Sequence, residues 1–257
     1  MAAAGVEQPR LDAELLLAEA AGLDRARLVA DPGAELPAAA GRRFGEMVRR
    51  RICREPVAYI LRRQGFRRIE LEVDPRVLIP RPETELLVEL ALELEPRSVL
   101  DVGTGSGAVA LAIADELPNC RVTATDDSPL ALEVAKENAR RLGLEERVEF
   151  EQGTLPAHGE FDLLVANLPY VAERDWPHLE PDVTHWEPRE ALLAGRDGLD
   201  AIRALLAVPL PARVVGLEVG KGQAERVSRF ASVAGFEGVE ARRDLAGIER
   251  MVWGRHG

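Results

Sequence analysis

Two cysteines, Cys53 and Cys120, are too few for a disulfide framework or a four-ligand zinc site. Lysine is as rare: Lys136 and Lys221 stand among 33 basic residues, so nearly every positive charge is an arginine. The four histidines, His158, His178, His185 and His256, show no metal-ligand spacing. No apolar run approaches the ~18 residues that a membrane-crossing helix needs. The opening residues, Met1-Ala2-Ala3-Ala4-Gly5, carry neither a basic stretch nor a long apolar core, so no signal peptide is expected. These absences predict a cytoplasmic protein with no resident metal and no contact with membranes. What is present suits a folded chain: 257 residues, 46% hydrophobic and 30% charged, allow a main domain with a smaller partner.

Charge is uneven along the chain. Residues 1–80 carry 14 basic and 12 acidic side chains, whereas residues 81–257 carry 19 basic and 32 acidic. An enzyme that grips a nucleic-acid duplex normally neutralises phosphates with a basic face, and the larger part has no such excess. Ten arginines between 42 and 68 form a local cluster, which reads first as a solvated helix face and second as a docking face for a partner.

The pattern of apolar residues divides the chain. Leu11, Leu15, Leu16 and Ala18 recur at helical spacing over residues 9–21, and Gly22 stops the run. Residues 38–54 give a second helix with Phe44, Met47, Val48 and Ile52 on one side. Residues 1–62 therefore read as a small helical domain. Residues 65–79 alternate Ile69, Leu71 and Val73 with charged neighbours, which predicts a β-hairpin linker (63–80) with Asp74-Pro75 as its turn. From residue 83 helices and strands alternate. Helices are expected at 83–94, 108–117, 129–142 and 223–234. Strands are expected at 97–102, 121–125, 148–152, 161–166, 213–219, 239–243 and 248–253. That order predicts an α/β domain over 81–257, with a mostly parallel sheet covered by helices on both faces.

Two segments carry chemistry. The first, Asp101-Val102-Gly103-Thr104-Gly105-Ser106-Gly107, leaves a strand and enters a helix. Its glycines permit a tight turn and close backbone approach to a ligand, and the helix start offers free N–H groups. The next strand ends at Asp126, 19 residues beyond Gly107, where a carboxylate accepts hydrogen bonds from ribose hydroxyls. Asp127 is adjacent, but Asp126 ends the apolar run. This loop with its acid resembles the S-adenosylmethionine loop of class I methyltransferases, in which Leu155 and the residues just before it, from 152, would border the adenine.

The second is Asn167-Leu168-Pro169-Tyr170, at the end of the strand Phe-Asp-Leu-Leu-Val-Ala. It resembles the catalytic tetrapeptide of methyltransferases that modify planar nitrogens. Such a nitrogen is a poor nucleophile because its lone pair is delocalised. The Asn167 side-chain oxygen and the Leu168 carbonyl are placed to accept its two N–H bonds, aligning it with a methyl donor and stabilising the positive charge that develops. Pro169 stiffens the turn and Tyr170 packs on the planar group. No general base is called for, since solvent takes the proton released after attack. Trp176 and Trp186, further on, read as core residues before they read as a cover over a pocket.

Further stretches decide between families. Arg76-Val77-Leu78-Ile79-Pro80-Arg81-Pro82-Glu83-Thr84-Glu85-Leu86-Leu87-Val88-Glu89 resembles the signature of the peptide chain release factor glutamine N5-methyltransferases, the PrmC/HemK family. So do Arg10–Leu17, Glu55–Ile60, Glu187–Leu192, Gly195–Asp200, Leu217–Gly220 with Gln223, and Gly247–Arg250, in order from about residue 8 to 255. The resemblance implies a class I methyltransferase fold (Rossmann-like, with a mostly parallel seven-stranded sheet), a helical substrate-docking domain and a hairpin linker. It implies methyl transfer from S-adenosylmethionine, leaving S-adenosylhomocysteine, to the glutamine of the Gly-Gly-Gln motif in class I release factors. By the resemblance Gly103, Thr104, Gly105, Ser106, Gly107, Asp126, Leu155 and Asn167 hold the cofactor, and Asn167, Leu168, Pro169 and Tyr170 hold the acceptor. Arg81, at the domain junction, is the candidate contact to substrate backbone, ahead of Glu83. A monomer without direct nucleic-acid contact is expected. Leu168 stands where the family usually has Pro, and Thr154 where many members have Asp. Asn-Leu-Pro-Tyr also resembles the rRNA adenine dimethyltransferase motif, so a nucleic-acid adenine N6-methyltransferase is the alternative.

Overall fold

In the computed structural model the chain divides into two units: Met1–Arg63 with Leu179–Glu187, and Gln64–His178 with Pro188–Gly257. The description covers residues 1–257 except Asp31, Pro32, Ala34, Leu36, Ala157 and Gly257, and omits the side chains of Val29 and Ala38.

The first unit is helical: α1 (Pro9–Ala21), α2 (Arg25–Ala30), α3 (Ala38–Ile52) and α4 (Val57–Leu61). Pro9 opens α1, where a missing N–H costs nothing, and Gly22 ends it, as the apolar spacing predicts. Leu16, Tyr59 and Ile60 are buried. Most of the arginine cluster is exposed, as a solvated face would be, and the departures are local. Arg51, 6% exposed, meets Asp12 at 2.6 Å and Asp182 at 2.7 Å. Arg54 binds Asp182 and Glu180, and Arg63 binds Glu19. At these three positions, charge that looks free in one dimension is tied to carboxylates brought in from elsewhere in the chain.

The second unit begins with a hairpin, β1 (Gln64–Phe66) and β2 (Ile69–Leu71), that turns at Arg67-Arg68. The sequence expectation of a turn at Asp74-Pro75 is thus corrected. Alternation continues past Leu71, but the backbone of Glu72 pairs with a side chain instead of a strand. Asn138 accepts the Glu72 N–H at 2.7 Å and donates to its carbonyl at 2.9 Å. Asp74 closes a separate small turn by accepting the Arg76 N–H at 3.0 Å.

Then follow α5 (Glu85–Leu94), β3 (Ser98–Val102), α6 (Ala108–Glu116), β4 (Arg121–Asp126), α7 (Pro129–Leu142), β5 (Val148–Gln152) and β6 (Phe161–Ala166). After α8 (Pro181–Trp186), which belongs to the helical unit, come α9 (Asp200–Leu206), β7 (Ala212–Glu218), α10 (Ala224–Val233), β8 (Phe236–Arg243) and β9 (Glu249–His256). The seven strands lie in the order β5-β4-β3-β6-β7-β9-β8, parallel except for β9. Composition follows position. The central strands β3 and β6 are nearly continuous apolar runs, as burial on both faces demands, while β5 and β8 at the edges carry alternating charges. Strand order reverses between β3 and β6, so the loops leaving these strands diverge and open a crevice at the carboxyl edge. Among the described residues no helix is long and apolar enough to cross a membrane.

Candidate active site

The crevice holds a cavity of about 310 Å³, walled by the ends of β3, β4 and β6. Residues 103–106, Asp126, Asn167, Leu168 and Pro169, all singled out from sequence, line it together. Gly107, Leu155, Tyr170 and Arg81 do not. Leu155 packs on the apolar core beside β6 and β7. Tyr170 and Arg81 stand outside this lining, near enough to each other that the Arg81 charge acts on the Tyr170 hydroxyl.

The glycine loop is a backbone device. Gly103, Gly105 and Gly107 have φ of 73°, 57° and 85°. A Cβ on Gly103 would stand 3.1 Å from the Leu168 side chain, and one on Gly107 only 2.9 Å from Leu111. The loop is anchored sideways: the N–H groups of Gly103 and Thr104 both donate to the Thr125 carbonyl at 2.9 Å. Below it Asp101, 2% exposed, accepts the Thr104 hydroxyl at 2.7 Å and the Ala110 N–H at 3.2 Å. Burial pushes its carboxyl up to about 7, more than those two hydrogen bonds hold it down.

Asp126 accepts N–H groups from Gly105 and from Ser128, each at 2.9 Å. Its carboxyl is raised by burial, against the pull of those donors. Asp127, exposed, takes the Thr154 hydroxyl at 3.2 Å on both oxygens. Asp126, Asp127 and Glu190 line the cavity against one arginine, Arg76, so the lining is acidic on balance and suits a cationic ligand.

The tetrapeptide is fixed from behind. Asn167 donates its amide N–H to the Thr84 hydroxyl at 3.1 Å. Leu168 turns its side chain into the core beside Gly103, 9% exposed. The Tyr170 hydroxyl donates to Glu218 Oε1 at 3.1 Å, and the Tyr170 carbonyl accepts Gln223 Nε2 at 2.9 Å. Gln223 in turn accepts the Gly220 N–H at 2.8 Å. Burial pushes the Tyr170 hydroxyl up, and the Glu218 charge adds to it. Glu218, 2% exposed, is pushed by burial up to about 7, with the hydroxyls of Thr84 and Tyr170 pulling it back.

Sequence reasoning gave no role to Asp101, Thr84, Arg76, Pro188, Glu190, Glu218 or Gln223. Arg76, Thr84, Asp101, Pro188 and Glu190 line the cavity. Pro188 and Glu190 arrive because Val171 and Leu193 form a parallel bridge beyond the tetrapeptide. The signal for most of them was their place in the family-like stretches, which marks a residue without saying what it touches. Trp176 and Trp186 are neither core nor cover. Trp176 lies 5.4 Å from the Arg189 guanidinium, and Trp186 donates to the Cys53 carbonyl at 3.3 Å.

A seven-stranded sheet with a glycine loop after β3 and an acid ending β4 defines a class I methyltransferase. The PrmC N-terminal domain family matches residues 1–61, and the methyltransferase small domain family matches residues 82–183. The release factor glutamine methyltransferase of Moorella thermoacetica is 45% identical, covering 97% of this chain and 92% of its own. That of Coxiella burnetii is 42% identical, covering 97% and 92%. The chain belongs to the release factor glutamine methyltransferase family. Among solved structures, the catalytic domain of human METTL16 with a MAT2A 3′UTR hairpin superposes with a TM-score of 0.59 at 16% identity, covering 73% of this chain and 76% of that one, a likeness of fold.

Proposed function

We propose that this protein transfers a methyl group from S-adenosylmethionine to the side-chain amide nitrogen of the glutamine in the Gly-Gly-Gln motif of class I release factors. The observation that carries the reading is the setting of Asn167. It stands in the same cavity wall as the glycine loop, with its amide nitrogen spent on Thr84. Its Oδ1 is thereby left as the acceptor for an incoming N–H.

The cavity fits the cofactor. The loop glycines leave room where a Cβ would intrude, Asp126 sits at the ribose distance along the chain, and the acidic lining complements a sulfonium and an ammonium. When bound, S-adenosylmethionine supplies an electrophilic methyl on positively charged sulfur. Residues 103–107, Asp126, Leu155 and Asn167 are the proposed cofactor contacts, of which Gly107 and Leu155 stand outside the cavity lining. Asn167 Oδ1 and the Leu168 carbonyl accept the two N–H bonds of the glutamine amide. This holds the nitrogen in line with the methyl and stabilises the charge that develops on it. The Leu168 side chain is committed to the core, so the departure from Pro leaves the backbone carbonyl as an acceptor. Pro169 stiffens the loop and Tyr170 abuts the planar amide. The proton leaves to solvent.

Arg81 is the proposed contact to the substrate backbone. Residues 1–62 are the proposed docking domain, 63–80 the linker and 81–257 the catalytic domain of a cytoplasmic monomer. The acidic balance of 81–257 disfavours a nucleic acid in the acceptor place. Incubation with methyl-labelled cofactor and either a class I release factor or ribosomal RNA tests the reading. Label on the Gly-Gly-Gln peptide is the expected result; label on adenine, or none, overturns it.

A further inference from the structure

A primary amide has two nearly isosteric faces, and only one serves this reaction. If the Asn167 amide turned over, its NH₂ would meet the substrate's NH₂, donor against donor. Something on this chain must set which face looks into the cavity. We infer that Thr84 and Glu218 form a positioning pair that fixes the Asn167 amide with its oxygen toward the acceptor nitrogen. This rests on the proposed reaction and adds two residues to it.

Thr84 precedes α5 and is 4% exposed; Glu218 ends β7 and is 2% exposed. A threonine hydroxyl has one proton to give and two lone pairs. Facing Asn167, it either accepts from Nδ2 or donates to Oδ1, and the choice follows from where its own proton goes. Glu218 lies next to that hydroxyl, which lowers the pKa of its carboxyl. One carboxylate oxygen, Oε1, takes the Tyr170 hydroxyl at 3.1 Å. The other, Oε2, is fully buried and completes no hydrogen bond among the described residues. Once Glu218 is ionised, above about pH 7, a buried carboxylate oxygen without a donor is costly, so it demands a proton from a neighbouring hydroxyl. The Thr84 hydroxyl, which already acts on this carboxyl, carries one.

Once the Thr84 proton is given to Glu218, the hydroxyl presents only lone pairs to Asn167. Asn167 Nδ2 then faces Thr84, as the 3.1 Å contact records, and Oδ1 is forced to the opposite side. One carboxylate thus sets both ends of the tetrapeptide: Tyr170 directly, and Asn167 through Thr84. A valine at 84 would fill the same space and lose the choice.

The test uses the full-length protein and three variants at pH 8, where Glu218 is ionised. Thr84→Val removes the hydroxyl at nearly constant volume, Thr84→Ser keeps it, and Glu218→Gln removes one of two acceptors. Single-turnover methylation of a release factor and calorimetric cofactor affinity are measured on each. The side-chain amide signals of ¹⁵N-labelled protein are recorded without ligand. The chain has three asparagines, Asn119, Asn138 and Asn167, so the Asn167 pair is assigned by its loss in Asn167→Asp.

Thr84→Val is expected to slow methyl transfer at least tenfold, keep cofactor affinity within twofold, and shift the Asn167 amide pair. Thr84→Ser recovers most of the rate and the original shift, and Glu218→Gln shifts the pair without touching Asn167. Unmoved Asn167 signals and rate in Thr84→Val, or a Thr84→Ser protein as slow as Thr84→Val, overturns the pair. Unmoved Asn167 signals in Glu218→Gln remove Glu218 from it. The amide signals are read on ligand-free protein, so they decide the positioning claim even if no release factor is methylated, a result that would sink the proposed reaction instead.

Discussion

Asp126 accepts the Gly105 N–H at 2.9 Å, so the carboxylate that ends β4 clamps the turn that leaves β3. Its other oxygen caps the start of α7 through Ser128. Each oxygen keeps a lone pair for a ribose hydroxyl. Asp126→Ala therefore loses ligand contacts and loosens the loop at once. Hydrogen bonds to a charged group contribute about 1.5–3 kcal/mol, so S-adenosylmethionine affinity should fall roughly 10–100-fold by calorimetry. Asp127→Ala serves as the control. If it loses more affinity than Asp126→Ala, the ribose partner is Asp127.

Gly198 is required by contact as well as by conformation. Its φ is +75°, and a Cβ there would stand 2.3 Å from the Tyr170 carbonyl and 2.9 Å from Gln223 Nε2. Gly198→Ala costs about 1–2 kcal/mol for the left-handed backbone alone, and the clash moves the Tyr170 backbone. Methyl transfer should slow at least tenfold, with a lower melting temperature. Cofactor affinity should hold within threefold, because residue 198 does not line the cavity. Equal loss of affinity and rate would show that the segment shapes the cofactor site instead.

These cases mark what the sequence makes legible. Strands and helices of the second unit follow from period and punctuation: α7 at 129–142, β5 at 148–152 and β6 at 161–166 fall where the apolar pattern puts them. The glycine loop and tetrapeptide are legible because their chemistry needs particular residue types at adjacent positions. What escapes is whatever depends on distant segments meeting. No local pattern says that Asn138 replaces a strand partner for Glu72, which is why the hairpin turn falls at Arg67-Arg68 and not at Asp74. Nor does any pattern say that Thr84 and Glu218, 134 residues apart, share the Asn167 loop. The α9 helix was not anticipated, and α2 and α4 are too short for periodicity to resolve.

Two buried carboxyls give stability an unusual dependence on pH. Asp101 is raised from 3.8 to about 7 and Glu218 from 4.5 to about 7, burial being the main cause of each. The unfolded chain releases these protons near pH 4, whereas the folded chain keeps them until about pH 7. Between those values the folded state binds more protons, so stability falls as pH rises through the window. The paired acids Glu116 and Asp197 are lowered by arginines, and their contribution is lost only in more acidic solution. The ligand-free melting temperature should therefore be higher near pH 5.5 than near pH 8. Asp101→Asn should flatten that slope while leaving the acid limb in place. A wild-type melting temperature that climbs from pH 5.5 to 8 would contradict the assignment.

Arg51 is the counter-charge for two carboxylates in the helical unit. Asp12 on α1 meets its Nε at 2.6 Å, Asp182 on α8 meets Nη2 at 2.7 Å, and Nη1 donates to the Glu55 carbonyl at 3.2 Å. Arg51→Met keeps the stem and removes all three, leaving Asp12 9% exposed with its charge unanswered. Breaking a buried pair from one side costs about 3–5 kcal/mol, chiefly because the abandoned charge stays desolvated. Helical melting followed by circular dichroism should drop accordingly. Arg51→Lys should recover only part, since one ammonium cannot span three acceptors set in different directions. Asp12→Asn added to Arg51→Met removes the stranded charge, so the double variant should be more stable than Arg51→Met alone. If the second change destabilises further, the cost lies in lost packing of the arginine stem and not in the orphaned carboxylate.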